Sequence, residues 1–167
     1  MNVERMTKSI EILQEALKDE RAKKFNMDVW GYTKNKRPEA KCVTQACAFG
    51  TIALSKAFKE LKTEFHLTDA EEWDDKLKKY IKVPGKRYEI TIVDSGGREN
   101  IYAAEAFYDI DCGTAEWLFT PYSYAVVEGS AAIKEVISRM KRLLSYEKLE
   151  NQIKVLEDRQ RKLSVVL

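Results

Sequence analysis

Between Arg37 and Phe65 the apolar residues recur in steps of three and four. Val43, Ala46, Cys47, Gly50, Ala53, Leu54, Ala57, Phe58, Leu61 and Phe65 share one face if the stretch is helical. The spacing predicts a central helix over 38–65 around which the remaining elements pack. Pro38 suits its first turn, and Glu39 favours the positive end of its dipole. Gly50 sits on the apolar face, where a glycine costs about 1 kcal/mol against alanine. Its presence there predicts the close approach of another backbone or of a ligand.

The flanking segments supply further elements. Val3, Met6, Ile10, Leu13 and Leu17 mark a first helix over 3–24. Thr68 and Glu71 have the form of a capping box, predicting a helix from Asp69 to about Ile81 that Val83-Pro84-Gly85 would stop. Tyr88, Ile90 and Ile92 alternate with Glu89 and Thr91, which predicts a strand over 87–93. A second strand at 28–33 joins it if that glycine-broken stretch pairs. Residues 98–108 are open between a hairpin return and a helix, and the run Ala103-Ala104-Glu105-Ala106-Phe107 favours the helix. Asp109 and Asp111 flank a break before a short helix ending at Phe119.

From about Ser130 the pattern is helical to the end. Ile133, Ile137, Met140 and Leu144 form one seam; Leu149, Ile153, Leu156 and Leu163 form a second, in steps of four, three and seven. The seam slips between Leu144 and Leu149, so the helix either bends near Ser145 or changes partner there. The expected fold class is α+β and predominantly helical, with a small sheet packed on the central helix. The expected organisation is a globular domain over 1–145 and a helical extension over 146–167 that serves in oligomerisation or folds back.

Twenty-nine basic and 27 acidic side chains leave a net charge of +2, so no global field draws the chain onto nucleic acid. Three cysteines is an odd count, and the chain opens on no leader-like or long apolar run. The expectation is a cytoplasmic protein with free thiols and no membrane partner.

Catalytic and metal chemistry find little purchase. The cysteines stand at 42, 47 and 112 and the single histidine at 66, without zinc-ligand spacing. Cys47 and His66 are about 30 Å apart along a continuous helix, too far for a thiol–imidazole pair. Ser95 to Glu99 could cup an anion with its amides beside Arg98, but it lacks a P-loop or a dinucleotide fingerprint. The carboxylates at Glu71, Glu72, Asp74 and Asp75, and those at Asp109 and Asp111, stand where helix starts want them. No catalytic residue, metal site or cofactor is assigned.

Binding is the more open class. Aromatic residues stand beside cations at Trp30, Tyr32, Lys34, Lys36 and Arg37, and again at Tyr80, Lys82, Lys86, Arg87 and Tyr88; Tyr122 and Tyr124 form a third aromatic group. Aromatic rings stack on bases and arginines hold phosphates, while Tyr and Arg also anchor protein interfaces. The candidate ligand residues are therefore Trp30, Tyr32, Lys34, Lys36, Arg37, Arg87, Arg98, Tyr122 and Tyr124.

Trp30-Gly31, the polar loop after it and the run from Cys47 to Ala57 together resemble a family of uncharacterised phage and actinobacterial proteins. Those carry a Trp-x-x-Gly element, a loop and a Cys-x-x-Gly-Ala helix. The segment from Ala103 to Phe119 is similar to a second block of theirs. This chain departs in having glycine directly after Trp30 and Thr51 after Gly50. The resemblance implies a helical, phage-borne domain and carries over no activity.

The leading expectation is a non-catalytic binding protein that sequesters a nucleotide-type small molecule or a host protein, homo-oligomeric through its C-terminal helix. The alternative is a nucleic-acid-binding accessory protein using residues 34–37 and 78–87. A metal-independent enzyme using Asp or Glu stands third.

Overall fold

A computed structural model describes residues 1–33, 45–74, 76–77 and 79–164. Its fold is α+β and predominantly helical. The order is α1 (Val3–Ala16), a 3₁₀ turn (Glu20–Lys24), β1 (Gly31–Thr33), β2 (Gln45–Ala46), α2 (Ala48–Leu54), β3 (Lys62–Asp74) and β4 (Lys79–Val93). Then follow α3 (Asn100–Tyr108), α4 (Cys112–Phe119), a second 3₁₀ turn (Pro121–Ser123) and α5 (Gly129–Ser164). The strands form one antiparallel sheet in the order β2-β1-β4-β3.

Helix α1 starts where Asn2 accepts the amide of Arg5, and it buries Met6, Ile10, Ile12, Leu13 and Ala16. It is shorter than the 3–24 expected. Asp19 takes an extended backbone and accepts the Arg21 amide, so Glu20–Lys24 forms a separate 3₁₀ turn.

The expected central helix over 38–65 is a correction. Only Ala48–Leu54 is helical, while Gln45–Ala46 and the segment from Lys62 belong to the sheet; residues 38–44 lie outside the described ones. Cys47 caps α2 by accepting the Gly50 amide on its sulfur, and Lys56 then adopts a left-handed conformation (φ 58°) that breaks the helical path. Beyond it, Thr63, Glu64 and Phe65 pair with Ile92, Thr91 and Ile90 of β4. Apolar residues four apart fit a helix face, but β-branched and aromatic residues with a strand partner gain more from the ladder.

The helix expected from Asp69 to Ile81 is likewise a strand pair. Glu71 stands opposite Lys82, Trp73 opposite Tyr80 and Asp74 opposite Lys79. Thr68 donates its hydroxyl to the Arg87 carbonyl, across the sheet rather than to a helix cap. Asp69 pairs with Lys86 and Glu71 with Lys82, so Val83, Pro84 and Gly85 face Ala70 alone. Pro84 has no N–H for the ladder, and a bulge is where a strand tolerates it. The strand expected over 87–93 is the inner part of β4, and within the stretch 28–33 Gly31–Thr33 is β1, which pairs with it at Tyr32–Glu89 and Thr33–Tyr88.

Residues 100–108 are helical. Asn100 starts α3 and accepts the Ile92 amide on its side chain, which ties the helix to β4. Asp109 ends α3 in the left-handed region, and Asp111 caps α4 through the Thr114 amide. The core gathers where these helices meet α1, α2 and α5. Phe49 lies against Phe107, Tyr108 and Phe119, and Tyr108 stacks on Phe119. The Tyr108 hydroxyl, fully buried, lies 2.7 Å from that of Ser9. Each satisfies the other.

Candidate interaction site

The residues singled out for ligand binding have separate local duties. Trp30 is half-buried with its ring edge-on to Phe49 at 6.5 Å, which makes it a lid on the core. Tyr32 pairs through its backbone with Gln45 and Glu89. Lys34, Lys36 and Arg37 lie outside the described residues. Arg87 holds Glu89 at 2.6 Å, and Lys82 holds Asp69 at 3.2 Å. Tyr124 is buried; its hydroxyl donates to the Leu118 carbonyl and its ring lies 3.8 Å from the Arg139 guanidinium. Tyr122, by contrast, is 95% exposed.

The glycine turn after β4 accommodates an anion, and the chain supplies it. Asp94 accepts the amides of Gly96 and Arg98 at 2.8 and 2.9 Å, and its second oxygen takes the Arg98 guanidinium. Burial pushes the Asp94 carboxyl up, but these bonds outweigh it and hold the carboxyl below its ordinary value. An external phosphate would have to displace this carboxylate. Among the described residues, no three His, Cys, Asp or Glu side chains gather where a metal ion could sit. Cys47 is buried, and desolvation pushes its thiol up to about 12, far from a nucleophile's range.

Among the described residues, helix α5 carries the longest run of exposed apolar side chains at helical spacing. Its first half buries Ala132, Ile133, Val136, Ile137 and Met140. Arg139 is also buried there, between the rings of Trp117 and Tyr124, and it donates to the carbonyls of Trp117 and Ser123. The sequence gives no sign of this arginine's role, because its partners lie 16 and 22 residues away.

The helix then continues through Ser145 without a break. From Lys148 to Arg161 every residue is exposed. This stretch does not pack into the core of its own domain, and at 1.5 Å per residue it is roughly 20 Å long. Tyr146, Leu149, Ile153 and Leu156 are 57, 54, 53 and 60% exposed. Leu163 continues the spacing at the end of the helix; its side chain is not among those described.

The two seams face opposite ways. At about 100° per residue, Ile133, Val136, Ile137 and Leu144 lie within about 60° of Met140, on the side that packs on the body. Tyr146, Leu149, Ile153 and Leu156 lie roughly 160–240° round from it. The outward positions of the first half are Glu135, Ser138 and Arg142, all exposed. Those on the body-facing side of the second half include Glu147, Asn151, Lys154 and Asp158, with Val155 at its edge. The apolar stripe changes face where the helix leaves the domain. Following the three-four spacing back from Leu149 adds Tyr146, which a seam of leucine and isoleucine alone leaves out.

Along the distal half, from Leu144 to Arg159, α5 and the Val3 and Thr7 side chains of α1 border an open groove of about 810 Å³ that Val155 and Leu156 also line. No family model matches the chain, and no curated protein or solved structure is significantly similar to it. Among the described residues no helix is long and apolar enough to cross a membrane.

Proposed function

We propose that this chain is a non-catalytic binding protein whose working element is the distal half of α5, presented to a helix of a protein partner. The observation that carries this reading is the apolar stripe that changes face near Ser145 and is exposed at Tyr146, Leu149, Ile153 and Leu156. An isolated helix of this length is marginal in water, and its stability comes from packing an apolar face. Along this segment the domain meets that face only at the groove where Val3 and Thr7 stand beside Leu156 and Arg159. Helix-on-helix recognition reads anchors at three- and four-residue spacing, as these side chains have.

A nucleotide-sequestering role draws less support from the geometry. Of its candidate residues, Trp30 caps the core, Tyr124 is buried, and Arg87 and Arg98 hold carboxylates of the same chain. A nucleic-acid role meets the same difficulty at Lys82 and Arg87, whose charges are matched by Asp69 and Glu89. The protein-partner reading keeps one of the two occupants expected from the sequence; the resemblance of the Trp30-Gly31 and Cys47–Ala57 segments implies a phage-borne domain and names no partner.

The test is a photo-reactive benzophenone amino acid placed at Ile153, and separately at Asp158, in the full chain inside the cells that express it. Crosslinking from 153 and not from 158 is the expected result. No crosslinked product from 153, or equal products from both positions, would overturn the reading.

A further inference from the structure

The exposed seam has the grammar of a two-stranded coiled coil. Setting Tyr146 as a core position of the first kind places Ile153 and Gln160 in the same kind, one and two heptads on. Leu149, Leu156 and Leu163 then occupy the second kind. A β-branched residue at the first, here Ile153, and leucine at the second favours two parallel strands, and one polar residue in a core layer selects register and strand number. Gln160 supplies that polar layer, and it is exposed in the single chain.

We infer that the partner of this helix is a second copy of the chain, joined in parallel and in register from Tyr146 to Leu163. This rests on the reading of α5 as the interaction element and names its occupant. The flanking charges decide the direction. In a parallel pair the positions beside the core bring Ser145 against the partner's Glu150 and Gln152 against the partner's Glu157. Neither is a like-charge pair. The fully overlapped antiparallel arrangement sets Glu150 against the partner's Glu157 twice over. Like charges facing each other destabilise, so the parallel form is selected.

Geometry admits the second copy. The seam lies opposite the side of α5 that packs on the body, so two helices can meet along it with their domains on the outside. Four core side chains slightly more than half exposed, with the stems of Gln152 and Arg159, amount to on the order of 1,000 Å² across a pair. That is the threshold at which specific interfaces begin. The dimer is therefore expected to dissociate on dilution.

The experiment uses the purified full chain. Sedimentation velocity over about a hundredfold range of concentration should show a monomer–dimer equilibrium. Leu149→Glu with Ile153→Glu should leave a folded monomer, its fold checked by thermal unfolding. With Cys42 and Cys112 replaced by serine, Gln160→Cys should form a disulfide-linked dimer under mild oxidation. A monomer at every concentration, a dimer that survives the double substitution, or bridging only when Gln160→Cys and Leu149→Cys chains are mixed would each overturn the proposal. If the purified chain is monomeric while position 153 crosslinks a different protein in cells, the interaction-helix reading stands and the second copy is excluded.

Discussion

A methyl group placed on Gly50 would lie 1.8 Å from the carbonyl oxygen of Trp30. The backbone before β1 crosses the start of α2 at this point, and the Cys47 thiol donates to the same carbonyl at 3.7 Å. Of the two causes the sequence allows for a glycine here, the close approach of another backbone is the one realised.

Gly50→Ala sets two opposed effects against each other. Alanine favours a helix by about 1 kcal/mol, but this methyl meets a backbone atom that cannot rotate away. The clash wins, and a net loss of about 3 kcal/mol is expected in urea unfolding. Unchanged stability would show that the two segments can separate freely.

Arg139 should tolerate no substitute. Its side chain is 8% exposed and bonds two carbonyls and the Ser123 hydroxyl as well as Glu135. Lysine keeps the charge but loses the planar fork and the stacking on Trp117 and Tyr124. Arg139→Lys is expected to cost about 2 kcal/mol. Glu135→Gln should cost under about 0.5 kcal/mol, because Glu135 is half exposed and solvent screens it. Thermal unfolding of both variants checks the asymmetry.

Asp94 sets a pH dependence of known sign. Its carboxyl is held below the ordinary value in the folded chain, so the folded state favours the ionised form. That contribution is complete above about pH 4 and is lost as pH falls through the folded value. The stability gap between the native chain and Asp94→Asn should therefore be constant near neutrality and narrow below about pH 4. A gap that widens in acid would contradict the bonding described.

The two described cysteines should differ in alkylation. Cys47 is fully enclosed and its thiol is raised to about 12. Burial and the nearby Glu116 carboxylate also raise Cys112, but its sulfur is partly open to solvent. Peptide mass spectrometry after native alkylation should find Cys112 modified and Cys47 spared until the protein unfolds.

Features resting on neighbours close in the chain are legible in the sequence. The start of α1, the helix at 100–108, the cap at Asp111, the strand within 87–93 and the long C-terminal helix all follow from spacing and capping over a few residues; Asp109, expected at a helix start, instead ends α3. The slip between Leu144 and Leu149 is legible too, although a bend and a change of partner fit it equally. Tertiary structure separates them, because only the placement of the body shows that Met140 and Leu149 face opposite ways. It also makes strands of Lys62–Asp74 and the start of β4, where helix spacing and a capping motif point elsewhere. A ladder draws its hydrogen bonds from a partner up to about thirty residues away, and no local pattern records that partner. The aromatic and basic residues gathered along the chain are dispersed for the same reason, each bound to whatever neighbour the fold brings to it.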